Sequence, residues 1–397
     1  MRRREFLRGA AAAAAAAALS PWERFALAAE GPRAAPGRIA PRLAATAADR
    51  SPVSPYGPLL DADANGLRLP AGFSSRVVAR SNQEVPGTGY TWHWFPDGGA
   101  TFGLADGGWA YVSNSELFSP FGGAGSIRFA PDGRIVAAAR ILSFTDANCA
   151  GGATPWGTWL SCEERARGLV WECHPLGHVA ARPRPALGRF QHEAAAFDPA
   201  HATVYLTEDE ADGGFYRFRY PVPGDLRVGT LEIATVQPDG SVAWTAVPDP
   251  TATRTPTRRQ VASTPFGGGE GIWFHDGQVF FATEHDNRIW RYDVATRRID
   301  MLYDAARSAR PVLAGIDDVV VSAAGEVLVS EDGGDLQLVL LTDTGTVAPL
   351  LQIEGHEGSE LTGPAFSPGG DRLYVSSQRG NRLGITYEVR GPFAGAA

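Results

Sequence analysis

The segment Asn148–Glu164 combines side chains that bind metal ions with residues that let the backbone approach one. It reads Asn-Cys-Ala-Gly-Gly-Ala-Thr-Pro-Trp-Gly-Thr-Trp-Leu-Ser-Cys-Glu-Glu. The thiolate of Cys149 and the carboxylates of Glu163 and Glu164 are ligands for borderline or hard cations. The adjacent glycines remove the side chains that would keep other groups at a distance. A purely structural strand does not need this mixture, so the segment predicts a metal site.

Other parts of the chain repeat the pattern of an acid that begins an apolar strand and a second acid about 15 residues later. Three units show it directly: Glu193–Phe197 with Thr207–Asp209, Glu270–Phe274 with Thr283–His285, and Asp317–Val321 with Ser330–Asp332. Three more follow by extension: Thr91–Phe95 with Ser113–Glu116, Cys149 with Glu163, and Thr362 with Ser377 next to Glu360. The sequence therefore contains six units.

These units lie in a chain with hardly any helical periodicity. Short strand-like runs alternate with Gly, Asp, Asn and Pro, and Asp-Gly pairs at 132, 239 and 276 predict type I′ hairpin turns. Six antiparallel units predict an all-β, six-bladed β-propeller over residues 56–397, with an insertion around 220–265. The innermost strand of each blade would then direct its acid at one central axis. Carboxylates that converge there repel one another unless cations lie between them.

The predicted metal ligands share a place at the head of an inner strand or at the end of the strand that follows. They are Cys149, Glu163, Glu164, Glu193, Glu208, Asp209, Glu270, Glu284, Asp317, Glu331 and Glu360, with His192 and His285 as secondary candidates. Calcium suits the oxygen ligands, whereas iron or zinc suits a thiolate with carboxylates. Arginine recognises phosphate through its planar fork, and Arg379 and Arg189 lie closest to the predicted axis. We assign direct roles in catalysis to Cys149, Glu193 and Arg379.

The three cysteines leave two arrangements open. Cys162 and Cys173 lie on either side of a predicted turn and could pair across a hairpin, or they could remain free. In both arrangements Cys149 has no partner, and metal ligation explains an unpaired cysteine beside two glycines better than packing does.

Residues 1–28 have the features of an export signal. Arg3-Arg4 precedes an alanine tract and the small-residue site Ala26–Ala28, which predicts a twin-arginine signal peptide; a general secretory signal is the alternative. Residues 29–55 are rich in Ala, Pro and Arg and predict a flexible lead-in. We therefore expect a periplasmic or secreted protein that uses the twin-arginine translocase and has no stable membrane anchor. The formal net charge of −8 and the lack of a long basic run argue against nucleic acid as a partner.

The segment around Cys149 closely resembles the signature of the PhoX alkaline phosphatase family. The likeness continues at the segments Trp92–Gly99, Gly107–Glu116, Glu193–Asp209, Glu270–Phe274, Gly325–Asp332 and Leu361–Gln378. It implies an exported six-bladed propeller that hydrolyses phosphate monoesters, small-molecule substrates, with iron and calcium in its channel. It also implies that Cys149 is the thiolate ligand to iron and that Glu193, Glu208, Glu270, Glu331 and Glu360 hold the remaining metals.

This chain departs from longer members of the family at two motifs. It has Asn114-Ser115-Glu116 where they have Asn-His-Glu, and Asp317-Asp318-Val319 where they have Pro-Asp-Asn. The alternatives are a calcium-dependent propeller lactonase or phosphodiesterase, which would use calcium and no thiolate, and a non-catalytic propeller stabilised by calcium. Metal analysis distinguishes the first alternative, because iron in the purified protein favours the phosphatase.

Overall fold

The computed structural model describes residues 54–307, 311–342 and 345–396. These residues form 26 β-strands and three 3₁₀-helices, at Pro185–Leu187, Thr257–Arg259 and Ala305–Arg307, and no α-helix occurs among them. No helix in this part of the chain is long and apolar enough to span a membrane. The predicted signal segment and residues 29–53 of the lead-in lie outside the described residues.

The strands form six antiparallel sheets in chain order, which are the six blades that the repeat predicts. The chain begins with β1 (Leu67–Arg68) and β2 (Ser74–Arg80). Blade one contains β3 (Pro96–Gly103), β4 (Trp109–Ser115), β5 (Gly122–Phe129) and β6 (Ile135–Thr145). Blade two contains β7 (Asn148–Ala153), β8 (Trp159–Glu163), β9 (Val170–Cys173) and β10 (Arg182–Pro183). Blade three contains β11 (His192–Asp198), β12 (Thr203–Glu208), β13 (Phe215–Arg219), β14 (Thr230–Val236) and β15 (Val242–Ala246).

The remaining blades follow the same meander. Blade four contains β16 (Gly269–His275), β17 (Gln278–Thr283), β18 (Arg288–Asp293) and β19 (Arg298–Asp304). Blade five contains β20 (Ile316–Val321), β21 (Val327–Glu331), β22 (Gln337–Leu341) and β23 (Val347–Ile353), and β1 adds a fifth strand by pairing with β23. Blade six contains β24 (Leu361–Phe366), β25 (Arg372–Ser377) and β26 (Ile385–Arg390). The innermost strands are β3, β7, β11, β16, β20 and β24, and each contacts the next around the ring.

Apolar side chains fill the space between every pair of adjacent blades. Six buried clusters occur, one at each interface, and the cluster between blades six and one packs Trp109 and Phe129 against Tyr374. Because a sheet that is apolar on both faces must be covered on both, each blade requires its two neighbours. This mutual burial closes the ring and sets the positions of the inner strands.

The Asp-Gly turns occur where the sequence predicts them, but only one has the predicted geometry. Asp276 and Gly277 both have positive φ, of 44° and 77°, as a type I′ turn requires. At Gly133 and Gly240 only the glycine has positive φ, and a wider loop joins the strands. The residues around 220–265 supply β14, β15 and a loop that covers blade three.

The N-terminal strand β2 closes the propeller by pairing with β26 in blade six. A buried ion cluster reinforces this closure: Glu388 of β26 lies 2.7 Å from both Arg76 of β2 and Arg372 of β25. Glu388 also accepts a hydrogen bond of 3.0 Å from the hydroxyl of Tyr374, and its side chain is 1% exposed. The carboxylate of Glu388 therefore links β2, the N-terminal strand of blade six, to β26, its C-terminal strand.

We expect Glu388→Ala to lower the free energy of unfolding by about 3 kcal/mol, because removing one partner leaves the buried guanidinium of Arg372 without its counter-charge. Chemical denaturation measures the change. Glu354→Ala is the control, since Glu354 pairs with Arg68 at 3.6 Å with a side chain that is 52% exposed. Equal effects of the two substitutions would show that the buried cluster does not close the ring.

Candidate metal centre

A β-bulge at the start of the inner strand brings one side chain from each of five blades toward the channel. In each case two residues of the inner strand face one residue of its neighbour, and the register shifts accordingly. The first bulged residues are Asp97, Cys149, Glu193, Glu270 and Asp317. In blade six the bulge falls one pair later, between Thr362 and Ala365, where Gly363 has a φ of 60°. The repeated acids of the sequence are thus bulge residues.

A second set of channel residues follows the second strand of each blade. The backbone N–H of each donates to a carbonyl at 2.6–3.1 Å. In five blades that carbonyl lies two residues before the first bulged residue, and in blade six it lies two residues before Thr362. The six pairs are Glu116 to Phe95, Glu164 to Ala147, Asp209 to Gln191, Glu284 to Gly268, Asp332 to Gly315, and Gln378 to Glu360. This repeated hydrogen bond folds each second strand back over the head of its inner strand. Five blades place an acid at this position, and the sixth places an amide.

Two groups of three potential ligands meet at this end of the channel. The ligand atoms of Cys149, Glu164 and Glu193 all lie within 4.8 Å of one another, and so do those of Asp97, Glu116 and Glu360. The groups adjoin, because the Cys149 thiol lies 3.6 Å from Oδ2 of Asp97. The structure therefore brings together four residues that the sequence predicts as ligands, Cys149, Glu164, Glu193 and Glu360.

The channel carboxyl groups cannot all ionise without counter-charge. Burial raises the pKa of Asp97, Glu164, Glu193, Glu270 and Asp317 well above their usual values, and neighbouring carboxylates raise each further. For Glu270 those neighbours are Asp209, Glu193, Asp317 and Glu284. Burial first, and then the charges of Asp97, Glu193, Glu164 and Glu116, raise the pKa of the Cys149 thiol. Bound cations reverse this effect, because they favour the charged forms of both carboxyl and thiol groups.

Two carboxylate oxygens show that hydrogen bonding within the protein does not satisfy the centre. Glu193 Oε1 and Asp317 Oδ2 are buried, and neither accepts a hydrogen bond from any described residue. Glu193 as a whole is 1% exposed. A buried oxygen without a donor is costly, and metal coordination is a common way to satisfy one. The residues of the centre therefore fit a group of bound cations.

The Asp97–Glu116–Glu360 group has partners from the residues that follow β25. The amide nitrogen of Gln378 donates to Asp97 at 2.7 Å and to Glu116 at 2.9 Å. Arg379 pairs with Glu360 through Nη1 and lies 3.8 Å from Glu116 through Nη2. Gln191 similarly bridges Glu164 and Asp209, at 3.0 and 2.9 Å. These donors hold the carboxylates at the channel mouth in place.

Three predicted ligands face away from the channel, because successive residues of a strand point to opposite sides. Glu163 accepts backbone hydrogen bonds from Leu169 at 2.9 Å and Asp146 at 3.2 Å. Glu331 accepts from the backbone of Ala314 at 3.1 Å and of Gln337 at 3.0 Å. Each carboxylate thus accepts from the backbone just before the inner strand and from the backbone at or just before the third strand, a position that we call the blade corner. The adjacent residues Glu164 and Asp332 take the channel position.

Glu208 is the third of these residues. Its carboxylate accepts from Arg258 at 2.8 Å and from the hydroxyl of Tyr216 at 2.7 Å. Arg258 also pairs with Glu210 at 3.0 Å and Asp212 at 2.7 Å. This ion cluster fastens the loop that carries Arg258 onto blade three, and Asp209 is the neighbour that faces the channel.

The adjacent pair Glu163 and Glu164 tests this division of roles. We expect Glu163→Gln to lower the free energy of unfolding by about 1–2 kcal/mol. The reason is that a side-chain amide has one acceptor oxygen and can accept only one of the two backbone hydrogen bonds that the carboxylate oxygens accept. The metal content of this variant should remain that of the wild type. Glu164→Gln should lower the metal content and, in the chelated protein, should leave the free energy of unfolding undiminished. Elemental analysis together with chemical denaturation distinguishes the two variants. Metal loss in both variants would contradict the assignment of Glu163 to the blade corner.

The secondary candidates lie outside the two ligand groups. His192 is fully buried, stacks on Phe190 at 3.6 Å between ring centroids and lies 3.1 Å from the carbonyl of Gly188; burial lowers its pKa to about 3. His285 packs beside the backbone of Gly267 and Gly268. Arg189 donates to the carbonyl of Arg167 at 3.4 Å. Of the two candidate arginines, the structure places Arg379 at the ligand groups.

Of the two arrangements left open for Cys162 and Cys173, the structure has the one in which both remain free. All three cysteines are free, and in the register of β8 and β9 Cys162 faces Val170 while Cys173 faces Trp159. The two sulfurs are therefore offset along the hairpin rather than opposite each other. Both are buried in apolar clusters between blades, Cys162 with Leu160 and Cys173 with Trp159.

Sequence reasoning missed Asp97 and did not select Glu116. It placed the first inner strand at Thr91–Phe95, whereas β3 begins at Pro96. The strands β3 and β4 are 8 and 7 residues long, so the two acids lie farther apart than the spacing of the other units. In addition, Asp97-Gly98-Gly99 has the composition of a turn. The available signal was its likeness to Cys149-Ala150-Gly151-Gly152, since both place small residues after the ligand.

Two described cavities lie toward the other end of the inner strands. One of about 450 Å³ extends from Gly152 to Phe274, and one of about 360 Å³ extends from Ala153 to Phe366, with Trp273 in the wall of both. Glycine, alanine and aromatic residues line most of both cavities. The groups that could perform chemistry thus lie at one end of the channel, and these two mainly apolar cavities lie toward the other.

Comparisons with known proteins agree with this geometry. The profile of the family "Alkaline phosphatase PhoX" matches residues 113–172 and 165–380. The structure is similar to that of Pseudomonas fluorescens PhoX in complex with vanadate, a transition-state analogue, with a TM-score of 0.70 and 16% identity over 85% of this chain and 99% of that one. It is also similar to a Bacteroides thetaiotaomicron protein of unknown function, with a TM-score of 0.53 and 9% identity over 80% and 76%.

A search of curated protein sequences gives no significant match. The family profile nevertheless covers most of the propeller, including every blade from the second strand of blade one to blade six. It includes Cys149, Glu164 and Glu193, and it ends just beyond Arg379. The six-bladed propeller with acidic clusters at one mouth of its channel is therefore a phosphatase propeller, and the chain belongs to the alkaline phosphatase PhoX family.

Proposed function

We propose that this protein is an exported phosphatase that hydrolyses phosphate monoesters at iron and calcium ions held in the propeller channel. The observation that carries the proposal is the convergence of the two ligand groups, one with a thiol and one with carboxylates alone. A thiolate beside carboxylates suits iron, whereas oxygen ligands alone suit calcium. Cys149, Glu164 and Glu193 would hold iron, and Asp97, Glu116 and Glu360 would hold calcium.

The carboxylates deeper in the ring extend the same argument. Glu270 lies close enough to Asp209, Glu193 and Asp317 for their charges to raise its pKa further after burial has done so. Asp317 in turn has Asp318 and Asp97 as neighbours. These residues would hold further calcium ions, because oxygen ligands alone suit that cation. Such ions, when bound, supply a Lewis acid for the phosphate oxygens and lower the pKa of bound water.

The protein's own residues bind and orient the phosphate group. Arg379 is half-buried at the mouth, and its fork matches two phosphate oxygens. The ring of Phe95 lies 5.7 Å from its guanidinium carbon and supports it from one side. Gln378 keeps Asp97 and Glu116 in fixed positions through its amide. The organic part of the ester then extends outward, because the channel walls behind these groups are filled by carboxylates.

Hydrolysis of chromogenic esters tests the proposal. Protein purified from the exported fraction should hydrolyse p-nitrophenyl phosphate, lose activity on chelation and recover it with iron and calcium together. The diester bis(p-nitrophenyl) phosphate and a lactone are the matched controls, since a phosphodiesterase or lactonase would prefer them. No monoester hydrolysis under any combination of these metals would refute the proposal, and purified protein with calcium but no iron would refute the role of Cys149.

Export through the twin-arginine pathway gives a separate prediction. Replacing Arg3 and Arg4 with lysine should reduce the protein in the periplasmic or secreted fraction to background, because the receptor reads the paired arginines rather than their charge. Immunoblots of cell fractions measure the result. Replacing Arg33 and Arg38 of the lead-in with lysine is the control. Unchanged export of the Arg3, Arg4 variant would favour the general secretory signal.

A further inference from the structure

Arg379 binds the carboxylates that are the proposed calcium ligands. Its Nη1 pairs with Glu360, and its Nη2 lies 3.8 Å from Glu116. The side chain is 29% exposed, and each of the two carboxylate side chains is 18% exposed. The backbone N–H of Arg379 donates to Ser359 Oγ at 2.9 Å, so the base of the side chain is fixed.

The other partner of this group is neutral. Gln378 is fully buried and donates to Asp97 and Glu116, but it adds no positive charge. Arg379 therefore supplies the positive charge to a group of three carboxylates. Burial first, and the charge of Glu360 next, raise the pKa of Glu116 to about 7, and the charge of Arg379 opposes this rise.

A guanidinium and a divalent cation cannot both bind these oxygens at full strength. Calcium takes carboxylate oxygens at about 2.3–2.6 Å, and a guanidinium at hydrogen-bond distance from the same oxygens would face it as a like charge. Phosphate offers the guanidinium another partner, since it accepts two parallel hydrogen bonds from an arginine fork.

We infer that Arg379 competes with a calcium ion for Glu116 and Glu360. Phosphate relieves this competition, because the guanidinium then donates to phosphate instead of to these two carboxylates. This inference rests on the proposed function for the identity of the ligands. Arg379 then has two alternative partners. Without calcium it pairs with the carboxylates, and with calcium bound it pairs with phosphate. Calcium and phosphate binding are then linked, and each strengthens the other by the same factor.

Calcium titration calorimetry of the chelated, folded protein tests the inference. The calcium ion that Glu116 and Glu360 bind is identified in the titration as the binding event that Glu360→Gln removes. We expect Arg379→Met to increase the calcium affinity of this event by about tenfold, within the usual range of such coupling. Inorganic phosphate should increase calcium affinity more in the wild type than in Arg379→Met, where only the direct contact between calcium and phosphate links the two. Arg379→Lys keeps the charge and should retain part of the coupling.

Arg165→Met is the matched control. Arg165 follows Glu164, is 50% exposed and pairs with Asp146 at 3.4 Å, so its loss removes one nearby positive charge without freeing a channel carboxylate. We expect its calcium affinity to remain within about twofold of the wild type. An equal increase in Arg165→Met and Arg379→Met would overturn the inference, because charge alone would then explain both.

Weaker or unchanged calcium binding in Arg379→Met would also overturn the inference, since the arginine would then hold the carboxylates in place for the metal. If a chelated variant unfolds, calcium per chain after dialysis of the purified protein replaces the titration. A higher value in Arg379→Met than in the wild type supports competition, and an equal or lower value contradicts it. Failure of the proposed function is distinct, because it appears as a wild type that hydrolyses no phosphate monoester.

Discussion

Replacing Cys149 with alanine should lower the rate of phosphate-monoester hydrolysis by about 1,000-fold or more, equivalent to about 4 kcal/mol of transition-state stabilisation. The reason is that Cys149 is the sulfur in a ligand group whose other members, Glu164 and Glu193, supply oxygen. Without the thiolate, the group loses its preference for iron over calcium. Elemental analysis should therefore show loss of iron in parallel with the loss of activity.

Cys162→Ala is the control for this substitution. Cys162 is also a free cysteine, is fully buried on β8 and packs in the apolar cluster between blades two and three. Its loss should affect stability through the cavity it leaves and should leave iron content at the wild-type value. Cys149→Ser provides a second variant of nearly unchanged volume. Wild-type iron and activity in both Cys149 variants would show that the thiol is not a ligand.

Glu193→Gln should have opposite effects on stability with and without bound metal. Glu193 is 1% exposed, and its Oε1 has no hydrogen-bond donor among the residues described. In the metal-free protein the amide removes a buried charge that Glu164, Asp317 and Asp97 repel, so the free energy of unfolding should rise by about 2 kcal/mol. In the loaded protein the same change removes a ligand, so stability should fall.

Chelation of the wild type should change stability more than Glu193→Gln does. We expect the free energy of unfolding to fall by about 4 kcal/mol if metal is present at roughly a thousand times its dissociation constant. In the resulting metal-free protein, burial first and the neighbouring acids next raise the folded-state pKa of Glu193 well above its unfolded value. The folded state therefore binds more protons than the unfolded state above the unfolded pKa. Stability should fall as pH rises from that value through the folded pKa.

Denaturant titrations at pH 5 and pH 8, before and after chelation, measure these effects. Glu357→Gln is the control, because Glu357 is an exposed residue beside the mouth whose carboxylate accepts from the backbone of Gly355 at 3.2 Å. It should change neither the pH dependence nor the response to chelation. A Glu193→Gln variant that is less stable than the wild type in the metal-free state would show that Glu193 contributes to packing rather than to a repulsive cluster.

The fold was predictable because its determinants are local and repeated. Alternating apolar residues and Asp-Gly turns predict strands and hairpins, and the recurring acid marks one inner strand per blade. Apolar and aromatic runs of this kind, such as Trp109–Val112, Val204–Leu206 and Val279–Ala282, all lie within strands of the structure. The closure by β1 and β2 was not predictable in this way, because those strands pair with residues far away in the sequence.

The chemical character of the centre follows from the sequence alone. An unpaired cysteine beside glycines, acids repeated at the heads of strands and an arginine after the last unit supply a thiol, carboxylates and a guanidinium, because residue type alone determines these groups. The likeness around Cys149 indicates the family, and the family profile confirms it.

Only the tertiary structure decided which acids face the channel. The side-chain period of a strand is two, so a shift of one residue moves a side chain to the opposite face. The sequence pattern locates the end of each second strand only to within a residue. It therefore selected Glu163, Glu208 and Glu331, whose carboxylates cap blade corners or bind Arg258. The bulges and the repeated backbone hydrogen bonds, which depend on pairing between strands, bring Asp97 and Glu116 into the centre instead.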